Sequence, residues 1–156
     1  MSPPVTLIMG GMENAITTRM TGASPAWQAK VASVAAELER HESIPIEVEQ
    51  HLHAGVYTRT GCQKAGTVVT TALIKVPTQL IISGHCRIYC ERDVFDVRGF
   101  KVLEGLAGRQ MIVYAYEDTW MTCAFATEAP SVEEAEAEAV GEWVGRLSNH
   151  AFLEQS

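Results

Sequence analysis

The sequence predicts an all-β core closed into a small barrel, with one helix before it and one after. Three observations predict this. From Ile44 the apolar residues recur with a period of two. β-branched and aromatic runs then follow one another at short intervals as far as Phe125, punctuated by glycines such as Gly55, Gly66 and Gly84. On either side of this region the period returns to that of an amphipathic helix. A succession of short strands with no helix between them argues for a barrel or sandwich rather than an α/β sheet.

In chain order, residues 1–24 read as an extended arm rich in Gly, Thr and Ser, in which Val5-Thr6-Leu7-Ile8-Met9 could add a strand to its own barrel or to a neighbouring subunit. Ser24 is a cap and Pro25 suits the first helical position. Trp27, Val31, Val34 and Leu38 then share a face, which predicts a helix over 25–40. Ile46, Val48, Gln50 and Leu52 alternate with Glu47, Glu49, His51 and His53. Further strands are predicted at 56–60, 68–74, 80–82, 86–89, 93–97, 100–104, 111–114 and 120–125, with a tight turn at Gly84. Ser131-Val132-Glu133-Glu134 is a capping box. Val132, Val140, Trp143, Val144 and Leu147 continue it as a helix over 132–148, with Glu136 interrupting the apolar stripe. Asn149 to Ser156 is predicted to fray. The chain therefore divides into an arm and helix (1–43), a barrel (44–128), and a helix and tail (129–156).

The totals restrict function. The 156 residues, 47% of them hydrophobic, suffice for one packed domain. A net charge of −7 disfavours a nucleic-acid polymer or an anionic membrane as partner. The opening residues lack the basic region of a signal peptide, and no apolar run reaches the roughly 18 residues of a membrane span. Cys62, Cys86, Cys90 and Cys123 include no CxxC pair and have apolar neighbours, as expected of reduced thiols in a cytoplasmic protein.

His51 and His53 form His-x-His, which on a strand puts both rings on one face and could begin a metal site if His85 or Glu104 supplied a third ligand. The plainer reading is an exposed polar edge opposite Val48 and Leu52. Arg59, Lys75, Arg87 and Arg109 are cations among apolar strand residues. If several converge, their donors could bind a phosphate or carboxylate, with Tyr57 and Tyr114 as flat contact surface. Each alone is also compatible with a surface charge lying over apolar neighbours. Tyr116 and Trp120 are candidates for a pocket mouth or for ordinary packing. Glu117-Asp118 reads as a solvated turn, and no phosphate-binding glycine loop or nucleophile elbow is present.

Gly55-Val56-Tyr57-Thr58-Arg59, Ala65-Gly66-Thr67-Val68-Val69, Ile81-Ile82-Ser83-Gly84 and Tyr114-Ala115-Tyr116-Glu117-Asp118-Thr119-Trp120, in that order, resemble a family of small cupin-like proteins found in bacteriophages and prophages. The resemblance covers about residues 46–127. It implies a double-stranded β-helix with a central pocket, frequent oligomerisation and a phage-related origin. It also implies where a metal would be held: by histidines on the strand after the Ala-Gly-Thr turn and by a further ligand near Gly108-Arg109-Gln110-Met111. This chain has Ile74-Lys75-Val76-Pro77-Thr78-Gln79 at the first place, with no histidine or carboxylate.

The expectation is thus a non-enzymatic, metal-free, cofactor-free barrel that binds a small anionic or nucleotide-like ligand. In a phage such a container could act as a sponge for a host immune signalling molecule, an anti-defence role. The alternatives are a structural or assembly protein of the phage particle, and a metal-dependent enzyme using His51 and His53. Two amphipathic helices on a small barrel suggest a homo-oligomer.

Overall fold

The structure is a computed structural model that describes residues 17–141 and 150–153. Its elements are β1 (Arg19–Met20), α1 (Pro25–Leu38), β2 (Ser43–Pro45), β3 (Val48–His53), β4 (Val56–Gln63), β5 (Thr67–Thr70), β6 (Thr78–Tyr89), β7 (Val94–Gly105), β8 (Ile112–Ala115), β9 (Thr119–Ala126), α2 (Val132–Val140) and β10 (His150–Leu153). The strands form one curled sheet in the order β2-β10-β5-β8-β6-β9-β4-β3, with β7 paired to β6 and β1 paired to β7.

The curl is set in the β6–β7 hairpin. Gln79 to Ser83 of β6 pair with β9, whereas Cys86 to Tyr89 pair with β8, and β7 runs along the opposite edge of both halves. The change of partner falls at Gly84, which has φ 149° and faces Gly99, with φ 82°, on β7. Beneath Gly84 the β8–β9 turn comes close. A Cβ there would lie 2.7 Å from Thr119 Cα and 2.8 Å from the Asp118 carbonyl. The His85 amide donates to Thr119 Oγ1 at 3.1 Å, and the Tyr116 amide donates to the His85 carbonyl at 2.9 Å. A pair of glycines opposite one another therefore creases a continuous ribbon. The sequence predicts strands at 80–82 and 86–89 and again at 93–97 and 100–104. The structure joins each pair into one 12-residue strand, because the β6–β7 ladder runs unbroken through the crease.

Period-two patterning then sorts the side chains. Leu80, Ile82, Cys86 and Ile88 face inward and pack with Phe95, Val97, Leu103, Met111 and Val113. On the outer face, Trp27, Val31, Val34 and Leu38 of α1 cover Val68, Tyr89, Val94, Ile112 and Tyr114. Helix α1 begins as predicted, with Ser24 Oγ accepting from the Trp27 amide at 3.2 Å, and it ends at Leu38 rather than Arg40. The Glu91 carboxylate accepts from the Ser24 amide (2.7 Å) and hydroxyl (2.5 Å), which holds its carboxyl below the usual range and ties the helix start to the β6–β7 turn. In α2 the Ser131 cap accepts from the Glu134 amide at 3.2 Å, while Ala135, Ala139 and Val140 pack on the inward residues Tyr57, Ala72, Ile74 and Phe125. The predicted continuation of this helix over 142–148 and the arm Val5–Met9 lie outside the described residues. The apolar faces of α1 and of the described part of α2 are used within the chain. The exposed large apolar side chains lie elsewhere, with Phe100 and Trp120 foremost.

Two further expectations are corrected. The predicted strand over 68–74 ends at Thr70, and only Ile74 of the remainder bridges, to Arg109. The segment expected to fray contains β10, which pairs with β2 on one edge and β5 on the other. His150 to Leu153 satisfies the backbone of two strand edges at once and buries Ala151, so strand pairing outweighs the fraying tendency of a short polar-flanked segment.

Two outcomes follow from this packing. Gly84→Ala should lower unfolding free energy by more than about 2 kcal/mol in urea titration, since the new methyl meets backbone and the φ is strained. Burial pushes the Cys86 and Cys90 thiols up from 9.0 to about 12. The folded chain then keeps protons that the unfolded chain loses. Stability is fully present below pH 9 and falls as pH rises toward 12, by up to about 1.4 kcal/mol per pH unit for each thiol. Urea midpoints at rising pH should fall less steeply in the Cys86→Ala/Cys90→Ala variant.

Candidate anion-binding cavity

Inside the barrel lies a cavity of about 150 Å³. Most of its wall is apolar, including Leu80, Met111, Val113 and Phe125, and Tyr57 packs its ring 5.0 Å from that of Phe125. Against this wall stands Arg109, a guanidinium only 2% exposed.

The local chain fixes Arg109 firmly. After the Gly108 turn the Gly108 amide donates to the Ile74 carbonyl at 2.6 Å, and the Ile74 amide donates to the Arg109 carbonyl at 2.9 Å. Gln110 turns the other way. Its Nε2 donates to the Thr71 carbonyl at 3.0 Å, and its own carbonyl accepts from Trp27 Nε1 of α1 at 2.9 Å. With its neighbour held outside, Arg109 points inward and crosses Gly105, where a Cβ would collide with the arginine's Cδ and Nε. Its Nε and Nη2 both donate to Thr78 Oγ1, at 3.0 and 2.9 Å, and Nη2 also donates to Cys123 Sγ at 3.4 Å. Nη1 has no hydrogen-bond partner, and Arg109 forms no ion pair, among the described residues. A guanidinium out of water costs several kcal/mol unless a counter-charge offsets it. The cavity therefore presents a fixed, under-compensated positive charge in an apolar setting.

Tyr57 and Glu136, which line the same cavity, are joined by Gln50 behind them. Gln50 Nε2 donates to Tyr57 Oη at 2.7 Å and to Glu136 Oε2 at 3.4 Å. Burial raises the Tyr57 phenol above its ordinary value; the Gln50 hydrogen bond and the Arg59 charge pull it down, and Glu136 opposes them. Arg59 and Glu136 both line the cavity.

Of the six residues that the sequence nominates for ligand binding, Tyr57, Arg59 and Arg109 meet here. The other three do not, and strand parity is the reason. Arg87 is odd-numbered on β6, whose even residues face inward, and Tyr114 is its cross-strand partner on β8, so both lie on the outer face. There Arg87 Nη2 is 3.8 Å from Asp96 Oδ2, and Tyr114 packs beneath α1 and edge-on to Tyr116, with centroids 4.9 Å apart. Tyr116 in turn stacks on His85 at 4.5 Å. Lys75 is exposed on the strand-free segment before β6, its amide donating to the Ala139 carbonyl at 2.7 Å and its ammonium beside Gly141 at the end of α2. Trp120, also considered for a pocket mouth, points away from the interior and is 56% exposed.

His51 and His53 lie exposed on the outer face of β3, with His51 Nε2 3.7 Å from Glu49 Oε1. The further ligands considered for them are elsewhere: His85 is beside Asp96, and Glu104 pairs with Arg19. Among the described residues no group of three or more His, Cys, Asp or Glu could hold a metal ion. Where the family resemblance places a further metal ligand, the residue turned inward is Arg109. The donors Cys123 and Glu136 share the cavity with two guanidinium groups, a set that does not fit a divalent cation.

Gln50, Thr78, Cys123 and Glu136 belong to the site and were not nominated from sequence. Two of them carried a signal. Gln50 occupies the apolar phase of β3, and Glu136 interrupts the apolar stripe of α2, so each is a polar group directed where burial is expected.

No protein-family model matches the sequence, and no curated protein matches it. Solved structures do. Ectoine synthase from P. lautus superposes with a TM-score of 0.50 at 14% identity, over 72% of this chain and 79% of that one. An RmlC-like cupin family protein with a double-stranded β-helix fold, from Methanocaldococcus jannaschii, gives a TM-score of 0.45 at 11% identity, over 53% and 80%. A cupin superfamily protein from Desulfitobacterium hafniense gives 0.45 at 15% identity, over 58% and 87%. At such identities the likeness is one of fold. The chain has a cupin-like, double-stranded β-helix fold; its described residues include two helices, neither of them long and apolar enough to cross a membrane.

Gly105→Ala should push the Arg109 side chain off Thr78. Its expected cost is about 1–3 kcal/mol in chemical unfolding, and replacing Thr78 by Ser, which keeps the hydroxyl, should cost less than replacing it by Val.

Proposed function

We propose that this protein is a binding protein whose barrel takes up a small organic anion, with Arg109 as the counter-charge. The observation that carries the reading is that Arg109 is 2% exposed, lacks an ion-pair partner among the described residues and stands on an apolar cavity. A carboxylate on Nη1 would supply the missing charge and a hydrogen-bond acceptor together. The volume sets the size of the rest of the ligand. About 150 Å³ is the size of cavity that holds a benzene ring, so the fitting ligands are carboxylates with an apolar body of about four to seven carbons. A nucleotide would have to extend beyond the cavity, past Arg59 and Glu136. A cavity lined by two arginines also weighs against a barrel that serves assembly alone. Binding without turnover is the proposed activity; in a phage-encoded protein it would serve to sequester such an acid.

Thermal unfolding in the presence of benzoate tests this. Benzoate at 100 times its dissociation constant should stabilise the fold by about 2.7 kcal/mol, whereas neutral benzamide should have a much smaller effect. Arg109→Met should abolish the response while leaving the ligand-free protein as stable or more so, because an apolar side chain of similar length removes a desolvated charge. A benzoate response that survives in Arg109→Met, or no response in the parent protein, would overturn the reading.

A further inference from the structure

The anion cavity contains a nucleophile that simple binding does not use. Cys123 on β9 faces Arg59 of β4 on one side and Leu80 of β6 on the other, so its thiol is in phase with the inward side chains of both strands. It lines the cavity and is half-buried, whereas Cys86 and Cys90 are buried. Its sulfur accepts a hydrogen bond from Arg109 Nη2 at 3.4 Å, and Nη1 of the same guanidinium has no partner among the described residues. The sulfur and the free anion-binding edge are thus two ends of one rigid planar group, which Thr78 and Gly105 hold in place.

We propose that Cys123 is a covalent capture site for small electrophilic carboxylates, α,β-unsaturated acids being the class that fits. The inference rests on the anion-cavity reading and adds a reaction to it. Attack requires the β-carbon of an acid held on Arg109 to come within about 3–3.5 Å of the sulfur, in a near-attack geometry. The sulfur, having given up its proton, bonds to the β-carbon. The π pair of the C=C bond moves to the α-carbon, and that carbon takes up one proton, so the adduct equals thiol plus acid with nothing oxidised or reduced. Arg109 acts by placing and neutralising the carboxylate. The wall formed by Leu80, Met111 and Phe125 accommodates the apolar part of the acid and excludes bulkier electrophiles.

Paired alkylating probes test the proposal on the intact protein. Iodoacetate and iodoacetamide react alike, an S–C bond forming as iodide leaves and the thiol proton passing to buffer, but only iodoacetate is an anion. Cys62 lies on the outward phase of β4 and is also half-buried, so it serves as an internal reference. Peptide mass spectrometry after each reagent gives the iodoacetate-to-iodoacetamide rate ratio at both cysteines. The ratio at Cys123 should exceed that at Cys62 by about tenfold or more, the value of one opposite charge at short range. Benzoate should suppress labelling at Cys123 and leave Cys62 unchanged. Equal ratios at the two cysteines would overturn the proposal. The benzoate-induced rise in the melting temperature of the parent protein separates this failure from that of the cavity itself. If benzoate stabilises the parent protein while the ratios are equal, the cavity reading stands and capture is wrong; if benzoate has no effect either, both fall. Should Arg109→Met fold poorly, the ratio measured on the parent protein still decides.

Discussion

Gly84 lying against Thr119 is the constraint on which the rest of the architecture depends. A twelve-residue strand can change partner along one edge within a single sheet only if it bends without losing its ladder on the other edge. The bend here comes from two facing glycines, with the β8–β9 turn filling the space a side chain would need. Because β6 changes partner from β9 to β8 at that point, the sheet curls and its inward residues enclose a space. Without the crease, Leu80 and Val113 would not face a common interior, and Arg109 would have no cavity to stand on.

The interior so formed is organised by an imbalance. Leu80, Met111, Val113 and Phe125 would pack as an ordinary apolar core, yet the chain places a guanidinium among them and binds it from one side only, through Thr78 and Cys123. Glycine at 105 makes room for the side chain, and Trp27 of α1 anchors the next residue from outside the barrel. Several parts of the fold thus hold in place a group whose burial is unfavourable by itself. Such an arrangement is costly for stability and useful for recognition.

Much of the fold could be read from the sequence because its causes are local. The period of two, the serine caps at Ser24 and Ser131, and the stripe Trp27, Val31, Val34 and Leu38 each act over a few residues, and each appears as expected. The creases escaped because a glycine in an apolar run reads equally as a turn or as a bend. Only the far side of the sheet, where Thr119 approaches Gly84, decides between them. The candidate site was half legible for a related reason. Composition finds Arg59, Arg87 and Arg109 alike, but parity sorts them, and parity along β6 cannot be assigned until the strand is known to run through Gly84. The polar interruptions at Gln50 and Glu136 were present in the pattern and told more than the cations did.

The position of β10 bears on how the chain reaches this state. The β6–β7 ribbon closes through near neighbours and can form early, as hairpins do. β10 sits between β2 and β5, and the Ser43–Phe152 pairing joins segments roughly a hundred residues apart. Closing so long a loop is rewarded only after both flanking edges exist, so this seam is expected to form late. The creased ribbon that carries Thr78 and Gly105 is built from its own hairpin pairing and does not wait for that closure.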